Sequence, residues 1–163
     1  MEKVNEVTGD GEAVKEKVEN VTKCVREIRV NYRGPKKRQI VIKEPADAAQ
    51  FIRDVLPDNS REHFVALYLD GAHQVIGFSL ISTGTANSCQ VHPREIYQRA
   101  VLLGSVALVV GHNHPSGQLI PSEEDRRVTK ALKSAGEVIG INLLDHVIVN
   151  DTGLYSFKDT GGV

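Results

Sequence analysis

The run from Val106 to Val110 is apolar at every position, and it constrains the fold more than any other segment of the chain. A continuous apolar run of this length indicates a strand that is buried on both faces. Helical patterns occur on either side of it. One covers residues 94–103, with Pro93 in its first turn. The other is a stripe of apolar residues at helical spacing: Val128, Ala131, Leu132, Ala135, Val138 and Ile139. The sequence therefore predicts a central strand that is covered by helices.

The remaining extended segments predict the rest of a sheet. Two strands, residues 64–69 and 74–81, flank Asp70-Gly71, a dipeptide typical of a hairpin. A helical pattern begins at Pro45 and stops before Pro57. Other extended segments are residues 25–32, 39–42, 143–149 and 154–157. Strands that alternate with helices after an antiparallel hairpin predict an α/β fold with a mixed central β-sheet flanked by helices.

The composition is that of an ordinary globular domain. With 163 residues, of which 40% are hydrophobic and 25% charged, the chain can bury a sizeable core. We assign residues 24–163 to one domain and residues 1–23 to a polar N-terminal tail, either a frayed helix or a disordered segment. The sequence contains no apolar signal core and no stretch long enough to span a bilayer, so a cytoplasmic location is the default expectation.

Charge and cysteine content exclude several partners and site types. The net charge of -1 does not favour autonomous binding to nucleic acid or to an anionic membrane. The one basic cluster, at residues 33–38, is short and is interpreted as a solvated loop. Cys24 and Cys89 fit no Cys-x-x-Cys pattern, so neither a disulfide framework nor a thiolate zinc site is indicated.

Two histidines follow the apolar run in the string His112-Asn113-His114-Pro115-Ser116-Gly117. Residues i and i+2 of extended backbone project to the same face, so the two imidazoles are expected side by side. Their expected place is just past the carboxyl end of the central strand, where open α/β sheets tend to bind ligands. Asp125 follows at the head of the next helical pattern, and two imidazoles with a carboxylate form a donor set suited to zinc.

Each part of this pattern also has a structural explanation. The two histidines can be a hydrogen-bonded pair in the core. Pro115-Ser116-Gly117 is ordinary turn chemistry. Ser122 and Asp125 have the spacing of a capping box, with Asp in place of the more usual Glu or Gln.

The whole string resembles the metal-binding signature of the JAMM (MPN+) metalloproteases: H-x-H, seven intervening residues, then S-x-x-D. Within that superfamily the chain resembles the RadC family more closely. The residues that carry this resemblance are Val91-His92-Pro93-Arg94-Glu95, the string at 112–117, Pro121, Ser122, Asp125 and Asp145-His146-Val147-Ile148-Val149. The resemblance covers about residues 24–157. It implies a JAB/MPN-like, cytidine-deaminase-like three-layer sandwich. Many RadC proteins carry an upstream helical domain of helix-hairpin-helix type, and we expect none here, so DNA binding credited to that domain does not transfer.

The resemblance also implies roles for five residues. His112, His114 and Asp125 would hold Zn2+ and leave a coordination position for water. Glu62, near the start of an earlier strand, matches the glutamate that holds the metal-bound water; the alternative is a solvated carboxylate at a strand end. Ser122 can cap the helix that begins near Glu123. By resemblance, its hydroxyl also faces the oxygen that becomes anionic when an amide carbonyl is attacked.

Other residues near these motifs are weaker candidates. His92 can be an outer neighbour of the metal site or a helix-entry residue, and His63 has no assigned role. Asp145-His146 is equally compatible with a site role and with a buried pair. Asn113 and Ser116 are expected to shape the loop, and Gly117 to supply a backbone angle that other residues avoid.

Three functions compete. The leading one is a zinc-dependent metallopeptidase or hydrolase of the JAMM type that cleaves a peptide or isopeptide bond, with a peptide or protein as its substrate. A deaminase is a second class, because JAMM domains share a fold relationship with cytidine deaminases, but the H-x-E and P-C-x-x-C strings are absent. The third is a non-catalytic or DNA-repair-associated accessory module of the RadC family. The presence of all five site residues favours the hydrolase.

Overall fold

The predicted central strand lies in the middle of a five-stranded sheet in the computed structural model, which describes residues 40–84 and 91–163. The tail, the segment at 25–32, the basic cluster and both cysteines lie outside these residues. In chain order, the elements are α1 (Pro45–Val55), β1 (Glu62–Leu69), β2 (Val75–Gly84), α2 (Pro93–Leu103), β3 (Ala107–Asn113), α3 (Glu123–Ile139), β4 (Asn142–Val149) and β5 (Leu154–Ser156).

The sheet has the strand order β2-β1-β3-β4-β5 and is mixed. β1 is antiparallel to both β2 and β3, as the hairpin signal at Asp70-Gly71 predicts. β3 and β4 are parallel, and α3 makes the crossover that two parallel strands require. β5 returns antiparallel to β4. The predicted α/β fold with a mixed central sheet is confirmed.

Side chains alternate across the sheet and form two separate cores. Phe64, Ala66 and Tyr68 of β1 lie in the core that includes residues of α2 and α3. The intervening residues of β1 lie in the core on the opposite face, which contains Ile52 of α1. Every residue of β3 is buried, because helices cover the sheet on both faces. The three-layer arrangement is therefore also confirmed.

Two sequence expectations need correction. β3 continues beyond Val110 to Asn113, so His112 lies inside the strand rather than past its end. In α3, Val128 and Leu132 are buried, but three members of the predicted stripe face solvent, namely Ala131, Val138 and Ile139. The predicted apolar stripe therefore covered more of the helix surface than the face that packs inward. A carboxylate, a hydroxyl and a glycine share that inward face with two apolar residues: Asp125, Val128, Thr129, Leu132 and Gly136.

The helices of the described segments are either too short or too polar to cross a membrane.

The close packing of α1 on β3 depends on Gly111. A Cβ at this position would lie 2.4 Å from Cδ1 of Ile52 and 2.6 Å from the main-chain oxygen of Val147. One of these contacts involves backbone, which cannot move aside without disturbing the pairing of β3 with β4. A side chain at position 111 would therefore strain the core next to the site.

We predict that Gly111→Ala lowers the free energy of unfolding by about 1–3 kcal/mol, the usual effect of overpacking a core. Urea denaturation measures the change. Gly71→Ala is the matched control, because a Cβ at Gly71 meets no atom within 4 Å. We expect the control to change stability by less than about 0.5 kcal/mol. Equal effects in the two variants would contradict this account of the packing.

Candidate metal centre

The backbone of β3 brings the two motif histidines together. His112 is fully buried near the end of the strand, and His114 follows two residues later on the same face. Their Nε2 atoms are 2.9 Å apart. The chain then turns: the Gly117 N–H donates to the His114 carbonyl oxygen at 2.9 Å, and Gly117 has φ of 76°. The expectation that Gly117 supplies an unusual backbone angle is confirmed.

Asp125 reaches the histidines from the first turn of α3. It belongs to a capping box with Ser122: the Asp125 N–H donates to Ser122 Oγ at 3.1 Å, and Asp125 Oδ2 accepts from the Ser122 N–H at 2.7 Å. Ser122 Oγ also donates to the same carboxylate oxygen at 2.6 Å. The predicted capping box is confirmed, and it fixes the carboxylate toward the end of β3.

The three side chains form a group that could hold a metal ion. Asp125 Oδ1 lies 3.2 Å from His112 Nε2, and Asp125 Oδ2 lies 3.7 Å from His114 Nε2. Tetrahedral zinc with ligands at about 2.0–2.2 Å separates its ligand atoms by about 3.3–3.5 Å. The first of these nitrogen–oxygen distances is slightly shorter than this range and the second slightly longer. Small adjustments of the side chains would therefore accommodate the ion.

The hydrogen bonding of His114 also fits a cation. His114 Nδ1 lies 2.7 Å from the main-chain oxygen of Gln118. A carbonyl oxygen can only accept, so Nδ1 carries the proton, and neutral His114 has an unprotonated Nε2. That nitrogen faces the Asp125 carboxylate, which also only accepts. Electron-pair donors that face one another require a cation between them, either a proton on His114 Nε2 or a metal ion.

Glu62 lies on the same face of the sheet as the two histidines. β1 pairs with β3 in a register that places Phe64 opposite His112. Continued by two residues, this register places Glu62 opposite His114. Opposed residues of paired strands have their side chains on the same face. Glu62 is partly exposed at the open end of the sheet.

Asn113 holds the main chain on both sides of Glu62. Because it lies between the two histidines, its buried side chain points to the opposite face of the sheet. Asn113 Oδ1 accepts from the His63 N–H at 2.8 Å, and Nδ2 donates to the Arg61 carbonyl oxygen at 2.8 Å and to Asn59 Oδ1 at 2.9 Å. Asn113 was expected to shape the loop, but it lies in β3 and its amide instead holds the start of β1.

Nearby charges shift the pKa values of the site. The hydrogen bond to Asp125 raises the pKa of His114 above its ordinary value against the effect of burial, and the charge of Glu62 adds to the rise. Burial alone would raise the pKa of Asp125, but His112, His114 and Ser122 outweigh it and hold that pKa far below its usual range. The site therefore favours an ionised carboxylate.

The weaker candidates have different positions. His92 is the exposed N-cap residue of α2 and makes no side-chain cap. His63 is buried, with Nδ1 3.0 Å from Thr83 Oγ1. Ser116 Oγ accepts from the Gln118 N–H at 3.4 Å, which places it in the loop.

His146 contacts the site directly, which the sequence analysis left open. Its Nε2 lies 2.9 Å from His112 Nδ1, and its Nδ1 lies 2.6 Å from Thr129 Oγ1. Burial lowers the pKa of His146 well below its ordinary value. Asp145 is buried too, but its carboxylate accepts from Ser156 Oγ at 2.7 Å, so the two neighbours serve different partners.

Thr129 was missed by the sequence analysis altogether. It had one usable signal: it follows Asp125 by four residues and therefore shares its helix face.

Comparisons with known proteins identify the family of this chain. Residues 42–162 match the RadC-like JAB domain family. A UPF0758 protein of Pelodictyon phaeoclathratiforme is 35% identical over 161 residues, which cover 99% of this chain and 71% of that protein. UPF0758 proteins of Desulforamulus reducens and Rubrobacter xylanophilus are 42% and 45% identical over 78% and 74% of this chain.

The chain spans only 56% and 53% of the length of the last two relatives. The name UPF0758, which the three relatives share, states no activity. Three observations indicate the same family: the RadC-like motifs of the sequence, the three-layer fold and the family match over residues 42–162. The chain belongs to the RadC family and contains a RadC-like JAB domain.

Proposed function

We propose that this protein is a zinc-dependent metallopeptidase that hydrolyses a peptide or isopeptide bond of a peptide or protein substrate. The observation that carries the proposal is the convergence of two imidazole Nε2 atoms and one carboxylate at the end of β3. The JAB/MPN superfamily includes metalloproteases, which supports the same reaction class.

The proposed mechanism divides the chemistry between the metal and two side chains, Glu62 and Ser122. When bound by His112, His114 and Asp125, zinc would lower the pKa of a water molecule from about 15.7 toward about 7 and supply the nucleophile. Glu62 accepts the proton that this water loses and returns it to the amine that leaves when the C–N bond breaks. The oxygen of the water ends in the new carboxylate of the product.

Ser122 has a second task in this proposal. Its hydroxyl donates to Asp125 Oδ2, so this exposed residue lies at the edge of the ligand group, next to solvent. Rotation of the O–H about the Cβ–Oγ bond would turn its hydrogen toward a substrate carbonyl and leave Oγ in the capping box. One preorganised donor at a developing oxyanion can contribute about 3 kcal/mol to transition-state stabilisation.

We predict that the purified protein binds close to one zinc ion per chain, and that His114→Ala combined with Asp125→Ala abolishes this binding, because one protein ligand remains. Elemental analysis measures the zinc content. The loss of zinc should also lower the melting temperature, since a ligand of the folded state stabilises that state. The control combines His92→Ala with Asp54→Ala, two exposed residues outside the site. Unchanged zinc content in the site variant would contradict the ligand assignment.

Glu62 separates an enzyme from a metal-binding scaffold. We predict that Glu62→Gln lowers hydrolysis by about 10²-fold or more, because the amide keeps the size of the side chain but cannot accept a proton. Zinc content and thermal stability should stay near those of the wild type. A screen of peptide and isopeptide substrates must first identify a substrate. Glu137→Gln, an exposed site on α3, is the matched control. Unchanged turnover would refute the role of Glu62, and loss of zinc would make Glu62 a ligand instead.

The position of Glu62 should depend on Asn113. We expect Asn113→Ala to lower the free energy of unfolding by about 1–3 kcal/mol, because the buried His63 N–H and the Arg61 carbonyl oxygen lose their hydrogen bonds. Hydrolysis should fall as well, while zinc content is kept. Asn59→Ala removes only one of the bonds to Asn113, at an exposed position, and should change stability by less than about 1 kcal/mol. Chemical denaturation and zinc analysis compare the two variants; similar losses of stability in both would contradict the assigned role.

A further inference from the structure

A chain of hydrogen bonds connects two of the three candidate ligands behind the site. It runs from His112 Nδ1 to His146 Nε2 over 2.9 Å, and from His146 Nδ1 to Thr129 Oγ1 over 2.6 Å. Thr129 Oγ1 then donates to the main-chain oxygen of Asp125 at 2.6 Å. His112, His146 and Thr129 are at most 1% exposed, so water does not replace these partners.

The direction of every bond in this chain follows from its last member. The Asp125 carbonyl oxygen can only accept, so the one hydroxyl hydrogen of Thr129 is donated to it. Thr129 Oγ1 must then accept from His146, which places a proton on His146 Nδ1 and leaves Nε2 as an acceptor. His112 must therefore donate from Nδ1, and its Nε2 carries a lone pair that faces His114 and Asp125.

Aromatic packing keeps the rings in this arrangement. The His146 ring stacks on Phe157, with centroids 4.9 Å apart and planes at 9°. The His112 ring stacks on Phe64, with centroids 5.8 Å apart and planes at 10°. Tilting either imidazole out of its plane would break both a stack and a buried hydrogen bond, and flipping either ring within its plane would break the buried hydrogen bonds.

We propose that Thr129 and His146 are positioning residues that hold His112 in the Nδ1–H tautomer, so that His112 Nε2 is free to bind the metal ion. The inference rests on the metal centre proposed above. Without the chain, His112 could place its proton on Nε2, where it would block coordination. Partners of this kind behind a metal-bound histidine typically change metal affinity by about 10- to 100-fold.

Thr129→Val tests the chain without changing the shape of the side chain much. Valine keeps the β-branch but cannot accept a hydrogen bond from His146. Nothing then fixes which ring nitrogens of His146 and His112 carry the proton. We expect zinc affinity, measured by competition with a chromophoric chelator, to fall by about 10- to 100-fold. Thr129→Ser restores a hydroxyl and should recover most of the affinity.

Tyr97→Phe separates tautomer control from a general loss of stability. Tyr97→Phe also removes a buried hydroxyl that donates to a main-chain oxygen of α3, that of Leu132 at 2.8 Å. Among the described residues, Tyr97 has no hydrogen bond or ring contact with a histidine. We expect this variant to be destabilised to a similar degree as Thr129→Val and to keep the zinc affinity of the wild type. Equal affinity in Thr129→Val and Tyr97→Phe would overturn the proposal.

A spectroscopic measurement needs no variant. Long-range ¹H–¹⁵N correlations of the zinc-free wild type should show a proton on His112 Nδ1, and a neutral His112 that carries its single proton on Nε2 would overturn the inference. The measurements distinguish a failure of the proposed metal centre from a failure of the proposed positioning role. A wild type that binds no zinc contradicts the metal centre itself. A wild type that binds zinc with the same affinity as Thr129→Val contradicts only the role of Thr129 and His146.

Discussion

The burial of β3 on both faces is the constraint on which the rest of this structure depends. Helices on both sides leave no solvent-facing row in the strand, so each side chain must find a partner inside the protein. Apolar residues meet this requirement as far as Gly111. The last two residues of the strand, His112 and Asn113, meet it with hydrogen bonds, in opposite directions. The polar end of a buried strand is therefore the natural place for a site in this fold.

The two strands that pair with β3 bring residues that are distant in the sequence to the candidate site. Antiparallel pairing with β1 brings the start of β1 to the end of β3, which carries Glu62 to the histidines. Parallel pairing with β4 sets His146 opposite Val110, and its ring reaches His112 from there. α3 closes the third side with Asp125 and Thr129 in its first two turns. Four elements thus contribute to one site, because β3 pairs with β1 and β4 and is covered by α3.

Local patterns predicted the elements well, because strands and helices each have a period that apolar residues reveal. Pro45 and Pro93 predicted the starts of α1 and α2, and the apolar run predicted β3. The candidate ligands followed from spacing and from a family resemblance. The contact between His112 and His146 was not predictable, since it depends on the register of two parallel strands. The inward face of α3 was misjudged for a related reason: apolar character did not separate Leu132, which faces the sheet, from Val138, which is 88% exposed.

Asn113 gives the site an all-or-none character. Its amide holds the main chain around Glu62 from one face of the sheet, while His112 and His114 point to the other. A slip of β3 by one residue would exchange the two faces: an amide would point at Asp125, and two imidazoles would enter the apolar core beneath α1. A wrong register would thus destroy both the core and the ligand group, with no intermediate arrangement that keeps either. Correct folding and assembly of the ligand group are in this sense the same event, and the hydrogen-bonding needs of one asparagine help to ensure it.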